Sequence, residues 1–446
     1  MSAFPAPTSI SLPGPRELLS TSAQVSSLLK QLPFPPSPSV TRLRIGDKSY
    51  TASAAAALCE QLLSRCPGCT ELDMSDVIAG RMEAEGLSVL AAFAGEAART
   101  MPGLTAVDLS DNAMGLKGIS ACRPLFDCSR GTLSSLAMCN DGLSHQSMGE
   151  VADLLCEEPP IQLERLHFFN NMSGDAGCEH FGRILGVQRT GGLLKDLRFS
   201  GTRASGEGSA HIAEALAAGA ALFGASLTKL DLNDNTFSES GAKLAAAFGG
   251  GFGRNLCRLN LGECSMGDET TRALLRGLLR HGAGGLTHLE LGGNELTGRS
   301  MKALGRLCRR NGGLEDLGLG ENDEIASGGV LLLLGEGLGE LGGLRALRLS
   351  CAGLGDRAGA AVAKMGGAWG DAKVEIDGNM FTPDVAEALQ AAYGDRLQEM
   401  EDNDEDGCDE DDEDVELEDD EEDEEDNGEA GGGGGVDELA AAVGKM

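Results

Sequence analysis

Apolar residues in the middle of the chain recur in a nine-residue pattern, L-x-x-L-x-L-x-x-N/C. One clear copy spans residues 104–112 and another spans 227–235. The alternating fourth and sixth positions predict a short strand with one apolar face. Apolar residues at helical spacing follow, such as Ala303, Leu304 and Leu307, and they predict a helix after each strand.

The pattern returns at nearly equal intervals, which indicates a repeat protein. Twelve copies start 27 to 35 residues apart, at Val40, Cys69, Leu104, Leu133, Leu163, Leu194, Leu227, Leu256, Leu286, Leu314, Leu344 and Asp371. One unit cannot bury its apolar face alone, so neighbours are expected to stack with parallel strands on a concave side. The ninth-position Asn or Cys should be buried, where it can satisfy backbone groups as the chain turns. The predicted fold class is α/β: a leucine-rich-repeat solenoid, a ribonuclease-inhibitor-like horseshoe of about twelve repeats.

Two flanking segments differ in composition from the repeats. Residues 1–39 hold eight of the fourteen prolines and predict an irregular arm, with at most one short helix over 16–32. Residues 399–429 contain 23 acidic residues and neither lysine nor arginine. Such a run cannot bury enough apolar surface to fold. The predicted organisation is a Pro-rich N-terminal arm (1–39), a leucine-rich-repeat domain (40–398) and a disordered acidic tail (399–446).

The net charge narrows the range of partners. Lysine and arginine number 36 against 70 aspartates and glutamates, which gives a formal charge of −34. This balance argues against binding to nucleic acids or anionic membranes, because like charges repel. No apolar stretch approaches the length that a membrane span requires, and the N-terminus lacks the features of a secretory signal.

Motifs typical of enzymes are missing from the sequence. The six histidines lack metal-site spacing, and neither GxxxxGK[ST] nor GxSxG occurs. Cys66 and Cys69 have CxxC spacing without a matching second pair, so a turn between a helix and a strand is the preferred interpretation. The cysteines are interpreted as reduced thiols that pack as small apolar groups. We therefore expect a protein without an active site, metal or cofactor of its own.

The eighth position of each repeat, just before the buried ninth, marks the expected binding edge. Solenoids of this type bind partners through exposed strand positions and strand-to-helix loops. Five of the nine residues at the eighth position in repeats two to ten are acidic, and none is basic. The candidates for partner binding are Asp76, Asp111, Asn170, Asp234 and Glu263. A solvated surface is the alternative for any single residue, but as a row they favour a protein partner with a basic surface.

Two repeats depart from the pattern near this edge. The second repeat is the longest, at 35 residues, and its extra length follows the strand and leads to Arg81. The alternative to a functional arginine is a surface arginine paired with Asp76 or Glu83. In the fourth repeat Asn140 stands one place early, and Asp141 takes the ninth position. Asn140 is therefore expected to project from the edge, free to bind a partner.

These stretches resemble the Ran GTPase-activating proteins. The resemblance rests on LDMSDVIAGR over 72–81, VDLSDNAMG over 107–115, MCNDGLS over 138–144 and HFFNNMSGD over 167–175. The last two are more similar to the plant-type members, and the resemblance extends over the repeats and the acidic tail. It implies an activator of GTP hydrolysis by the small GTPase Ran in its GTP-bound form, with a role in nucleocytoplasmic transport.

The resemblance also implies roles for single residues. Many GTPase activators insert an arginine at the phosphates. This family is understood instead to use an asparagine that orders the GTPase's own catalytic glutamine, and Asn140 matches that asparagine. Arg81 matches an arginine that the family needs for activity, and docking and orientation is its implied role. Plant-type members carry an N-terminal Trp-Pro-Pro domain that targets the nuclear envelope. That domain is not expected here, because the only tryptophan is Trp369.

The main alternative is a non-enzymatic acidic binding protein such as a histone chaperone. Histone chaperones of the leucine-rich class also carry acidic tails, but their repeats are fewer and shorter. An inhibitor of ribonucleases should be far richer in cysteine and has no acidic tail. The resemblance further implies a cytoplasmic location, with a perinuclear one left open, and Ran-binding proteins as additional candidate partners. A monomer is expected.

Overall fold

A strand followed by a helix is the unit that repeats along the chain, as the nine-residue pattern predicts. The computed structural model describes residues 8–282 and 284–406. These form two compact units, which divide between Leu227 and Thr228. Each of the twelve predicted repeats contributes one strand of a parallel sheet and at least one helix. The predicted α/β leucine-rich-repeat fold is confirmed.

The first unit contains the first six repeats and the segment that precedes them. Its strands are β1 Ser9–Ser11, β2 Glu17–Leu19, β3 Arg42–Arg44, β4 Lys48–Tyr50, β5 Glu71–Asp73, β6 Ala106–Asp108, β7 Ser135–Ala137, β8 Arg165–Phe169 and β9 Asp196–Ser200. Its helices are α1 Ser22–Leu29, α2 Ala52–Gln61, α3 Glu83–Thr100, α4 Gly115–Ser129, α5 His145–Cys156, α6 Gly174–Gly191, α7 Gly206–Ala218 and α8 Ala220–Ser226. Strands β1, β3 and β5 to β9 pair in that order and in parallel, and β2 pairs with β4.

The second unit contains the other six repeats. Its strands are β10 Lys229–Asp231, β11 Arg258–Asn260, β12 His288–Glu290, β13 Asp316–Gly318, β14 Ala346–Arg348 and β15 Lys373–Glu375. Its helices are α9 Gly241–Gly249, α10 Gly267–His281, α11 Gly298–Arg310, α12 Ala326–Glu336, α13 Asp356–Lys364 and α14 Pro383–Tyr393. Neighbouring strands again pair in parallel and in sequence order.

The fourth residue of each repeat sets the register of the strands within each unit. In the first unit Leu43, Leu72, Val107, Leu136, Leu166 and Leu197 stand opposite one another, and all six are buried. Burying one such side chain stabilises the fold by about 1.5–3 kcal/mol. A one-residue slip would turn these side chains away from the helices, so the leucine pattern fixes the pairing.

The eighth residue of each repeat adopts the left-handed conformation. All twelve have a φ between 50° and 67°: Asp47, Asp76, Asp111, Asn140, Asn170, Gly201, Asp234, Glu263, Gly293, Glu321, Cys351 and Gly378. Nine of the twelve are Asp, Asn or Gly, the residues that tolerate this conformation best. The backbone turns from strand to loop at this residue, so the preference for Asp, Asn and Gly at this position has a conformational cause.

The predicted burial of the ninth-position asparagines is confirmed. Asn112, Asn171, Asn235, Asn294, Asn322 and Asn379 are all at most 4% exposed. The Asn112 side chain donates to the carbonyl oxygens of Met74, Leu109 and Ser110 and accepts from the Val77 amide. The Asn112 side chain thus satisfies backbone groups of its own repeat and of the one before it.

The segment predicted as an irregular arm, with at most one short helix over 16–32, has more regular structure in its described part. Residues 8–39 contain β1, β2 and α1, and β1 extends the main sheet by pairing with β3. The Lys48 side chain, only 1% exposed, holds this segment by donating to the carbonyl oxygens of Gly14 and Pro15. An ammonium buried this completely needs such acceptors, so the N-terminal segment is part of the folded domain.

The start of the predicted disordered tail is also ordered. The Asp404 amide donates to the carbonyl oxygen of Asn379, and the Asn403 side chain donates to the carbonyl oxygen of Phe381. Residues up to 406 thus contact the twelfth repeat. The rest of the predicted tail, 407–446, lies outside the described residues.

Candidate functional site

The loop that carries Asn140 is fixed by the next repeat. The Asn140 amide donates to the carbonyl oxygen of Phe169 at 2.6 Å. The buried Asn171 side chain accepts from the amides of Asp141 and Leu143. Ser144 then caps helix α5, its hydroxyl accepting from the amide of the helix's third residue. Asn140 is therefore presented by a well-supported turn, although it is exposed.

Side chains of the eighth position form a hydrogen-bonded row in the first unit. The side-chain Nδ2 of Asn140 donates to Asp111 Oδ1 at 2.8 Å, and the side-chain Nδ2 of Asn170 donates to Asn140 Oδ1 at 2.9 Å. We call Asp76, Asp111, Asn140 and Asn170 the edge row. The last three are exposed, and neighbouring strands place successive members about 5 Å apart.

Asn140 is not wholly free, in contrast to the sequence-based expectation. A carboxamide has two N–H donors and an oxygen with two lone pairs. The bonds to Asp111 and Asn170 use one donor and one lone pair. One N–H and one lone pair remain for a partner, and the two bonds fix the plane of the amide. An amide oriented in this way can accept from and donate to a second carboxamide.

Asp76, at the N-terminal end of the edge row, is covered rather than exposed. Its side chain is 12% exposed and forms an ion pair with Arg16 at 2.7 Å. Burial raises the pKa of Asp76, Arg16 opposes that effect, and the nearby carboxylates of Asp111 and Asp47 add to it. The sequence did not indicate Arg16, because it lies in the segment interpreted as an irregular arm.

Arg81 lies in the long loop between β5 and α3, as predicted, but its side chain is not displayed. Only 11% of the side chain is exposed. Its Nε donates to the Ser49 hydroxyl at 3.0 Å, and a terminal nitrogen lies 3.5 Å from Glu85. The alternative pairing with Asp76 or Glu83 is also wrong, since Asp76 pairs with Arg16 and Glu83 with Lys117. Arg81 therefore holds its loop against the preceding repeat.

Large apolar side chains are exposed where loops of this edge enter the helices. Met82 is 82% exposed just before α3, Leu116 is 43% exposed at the start of α4, and Met172 is 56% exposed shortly before α6. Isolated exposed apolar residues are common, but three at equivalent loops along one edge are typical of a protein-binding surface.

The strand face beside Asn140 carries a second polar group that the sequence did not indicate. His167 Nε2 lies 2.7 Å from Asp196 Oδ1, and Arg165 lies 3.1 Å from the other ring nitrogen. The Arg198 guanidinium lies 3.8 Å above the ring of Phe169. The His167–Asp196 and Phe169–Arg198 contacts join β8 to β9 as cross-strand pairs, whereas the Arg165–His167 contact lies within β8.

Asp234 and Glu263 belong to the second unit. Both are exposed and have the left-handed conformation of the eighth position, with φ values of 54°. Their amides donate to the carbonyl oxygens of Gly262 and Gly292. Their backbone therefore has the same conformation and the same cross-repeat hydrogen bond as that of the edge row.

Other chemistry is sparse in the described part of the chain. Residues 8–282 and 284–406 contain no cluster of three or more His, Cys, Asp or Glu side chains suited to a metal. Cys66 and Cys69 are unpaired and form a turn before β5, as predicted, and burial raises the pKa of the Cys69 thiol to about 12. Within the same ranges, every helix is too short or too polar to cross a bilayer.

Comparisons with known proteins agree with the repeat fold. A family model described as Leucine Rich repeat matches residues 102–121, 225–244 and 286–305, which fall on the third, seventh and ninth repeats. The chain is also similar to RAN GTPase-activating protein 1 of Arabidopsis thaliana, with 38% identity over 104 residues. That match covers 23% of this chain and 19% of the relative, so the chain spans about a fifth of the curated protein that it matches.

Two solved structures align with more than three quarters of the chain. The crystal structure of the yeast Rad7 and Elc1 complex aligns with a TM-score of 0.49 and 16% identity, over 77% of this chain and 83% of that chain. An internalin from Listeria monocytogenes aligns with a TM-score of 0.34 and 12% identity, over 79% of this chain and 78% of that one. The fold assignment rests on the repeated strand–helix units and on the family-model match.

Proposed function

We propose that this protein stimulates GTP hydrolysis by the small GTPase Ran and that the edge row is the surface that does so. The observation that carries the proposal is the state of the Asn140 side chain. Its carboxamide is exposed and held by Asp111 and Asn170, and one N–H donor and one acceptor lone pair remain available to a partner. The similarity to RAN GTPase-activating protein 1 supports Ran as the partner.

The proposed mechanism requires no active site in this chain. A small GTPase hydrolyses GTP slowly because the glutamine that orients the attacking water is poorly ordered, and an activator can raise the rate by about 10⁵-fold. The free N–H and lone pair of Asn140 match the carboxamide of a glutamine, so Asn140 can hold that glutamine in its productive orientation. Because the amide is fixed before binding, little ordering entropy is lost when the partner docks.

Arg81 has a supporting role in this proposal. Its guanidinium contacts Ser49 and Glu85 and is mostly buried, so it is poorly placed to reach a phosphate. It instead fixes the loop that ends at the exposed Met82. The arginine therefore acts on docking, which agrees with the role that the resemblance implies.

Arg81→Ala should weaken docking more than it slows hydrolysis in the bound complex. We expect kcat/KM for Ran to fall about 10- to 100-fold, equivalent to about 1.4–2.7 kcal/mol, mainly through KM. Single-turnover hydrolysis at several concentrations of this protein measures both parameters. Arg99→Ala is the matched control for loss of one positive charge, because Arg99 is exposed and pairs with Glu96 on its own helix α3, and it should have the smaller effect. A fall confined to kcat would contradict the docking role and indicate direct contact with the reacting groups.

The proposal as a whole is tested by the choice of partner. GTP-loaded Ran, an unrelated GTP-loaded small GTPase and core histones are each mixed with the full chain, and hydrolysis and binding are measured. We expect this protein to accelerate GTP hydrolysis by Ran and not by the unrelated GTPase. Tight histone binding without any acceleration would instead support the histone chaperone, which the charge of −34 favours. The cytoplasmic location, the monomeric state and Ran-binding proteins as further partners stay predictions from the resemblance and the sequence.

A further inference from the structure

Asp141 occupies a position that asparagine fills in six other repeats. It is the ninth residue of the fourth repeat and is completely buried. Its Oδ1 accepts from the Asn112 amide at 2.9 Å, as the oxygen of a ninth-position asparagine does. Its Oδ2 is buried and has no hydrogen-bond partner among the described residues. One half of the side chain is therefore satisfied in the usual way, and the other half is not.

The other repeats show what lies at the second half of this position. The amide nitrogens of Asn112, Asn294 and Asn379 donate to carbonyl oxygens of the sixth and seventh residues of their own repeat and of the sixth residue of the repeat before. By the same register, we infer that the buried, unpartnered Oδ2 of Asp141 faces the corresponding carbonyl oxygens. An ionised carboxylate would oppose these oxygens, whereas a carboxylic acid would donate its proton to one of them.

The charged groups around Asp141 also favour its neutral form. Asp108 and Asp111 of the preceding repeat are the carboxylates that act on Asp141, and the thiols of Cys122 on α4 and of Cys139 lie nearby. No cation among the described residues acts on it. Burial raises the pKa of Asp141 well above its ordinary value, the Asn112 amide opposes that rise, and the two aspartates add to it.

We propose that Asp141 is a positioning residue for Asn140, held as a neutral carboxylic acid that replaces the donor of a ninth-position asparagine, and that its ionisation disorders the turn presenting Asn140. The link is short, because the two residues are adjacent and Asp141 also joins this turn to the preceding repeat through Asn112. The role in activation rests on the proposed function, whereas the neutral state of Asp141 does not.

The consequence is a dependence on pH. The unfolded chain ionises Asp141 near its ordinary pKa, while the folded chain retains the proton to higher pH. Folding therefore takes up a proton, and the stability of the wild type relative to Asp141→Asn falls as pH rises above about 4, by up to about tenfold in the folding constant per pH unit. The decline stops above the folded-state pKa, where the turn also loosens.

The experiment compares the full-length wild type with Asp141→Asn, using Asn322→Asp as the matched control. The control places the same acid at a ninth position in the second unit, where Asn322 makes equivalent bonds. Denaturant unfolding and single-turnover hydrolysis by GTP-loaded Ran are followed from pH 5 to 8.5 at constant ionic strength. Rates are expressed relative to Asp141→Asn at each pH, which cancels the pH dependence of the GTPase itself.

We expect Asp141→Asn to become more stable than the wild type as pH rises. Over the same range, the maximal hydrolysis rate obtained with the wild type should fall relative to that obtained with Asp141→Asn, while the affinity for Ran stays unchanged. Asn322→Asp should acquire the stability change but keep the wild-type hydrolysis profile. A stability difference between the wild type and Asp141→Asn that is independent of pH would contradict the neutral state of Asp141. A pH-dependent stability with parallel hydrolysis profiles would overturn the link to Asn140. If no variant accelerates hydrolysis, the proposed function fails with the positioning role, while the unfolding data still report the protonation state.

Discussion

Asn140→Ala should lower the maximal rate at which this protein drives GTP hydrolysis by Ran by about 10²- to 10³-fold, with little change in affinity. Loss of one preorganised hydrogen-bonding group that acts in the transition state has a cost of this size. The side chain is exposed, and within 8–282 and 284–406 its hydrogen bonds are those to Asp111 and Asn170, so the fold should tolerate its removal. Single-turnover hydrolysis at saturating activator measures the effect.

Two companion variants separate loss of the amide from backbone strain. Asn140 has a φ of 56°, a conformation that alanine adopts at a cost of about 1–2 kcal/mol. Asn140→Gly removes the amide without that strain and should be as inactive as Asn140→Ala. Glu321→Ala introduces the same strain at an eighth position of the second unit, where φ is also 56°, and should retain most of the activity. Full activity of Asn140→Gly would refute the role of the amide.

Asn294→Ala should destabilise the second unit by about 3–5 kcal/mol. The buried Asn294 side chain donates to the carbonyl oxygens of Leu261, Leu291 and Gly292 and accepts from the amides of Cys264 and Met266. Removing it leaves these backbone groups unpaired in the interior, and each unpaired group costs about 1–3 kcal/mol before relaxation. Urea unfolding measures the loss, provided that the m-value is unchanged.

Asn260→Ala is the matched control for this prediction. Its side-chain oxygen accepts only from the Gly262 amide among the described contacts, and the residue is partly exposed. The expected loss is below about 1 kcal/mol. Equal losses in the two variants would show that the ninth-position asparagines are not the main polar contribution to the stability of the repeats.

The repeat architecture could be predicted because its cause is local and recurrent. A buried apolar residue, most often Leu, occupies the fourth and sixth positions of every repeat. The turn after each strand needs a left-handed residue followed by a buried one, so twelve copies reinforce one signal. Strand β1 lacks that support: Ser9–Ser11 has a single buried residue, Ile10, among prolines. The fold of the N-terminal segment depends on the burial of Lys48, more than thirty residues away, which no local pattern reveals.

The sequence predicts where the candidate residues lie on their repeats, but not what their side chains contact. The one-place shift at Asn140 and the long loop before Arg81 are visible as departures from the repeat. The partners of these side chains come from neighbouring repeats, about 30 residues away: Ser49 for Arg81, and Asp111 and Asn170 for Asn140. Arg16 pairs with Asp76 across 60 residues. A sequence pattern predicts which position faces the solvent, but not which neighbour occupies the space beside it.

The most direct measurement is single-turnover GTP hydrolysis by wild-type Ran and by Ran whose catalytic glutamine is replaced, each with and without saturating amounts of this protein. If the edge row acts by ordering that glutamine, wild-type Ran should be accelerated by several orders of magnitude, and the glutamine variant should bind but not be accelerated. Equal acceleration of both forms would show that this chain supplies the catalytic group itself. No acceleration of wild-type Ran by the folded protein would contradict the proposed function.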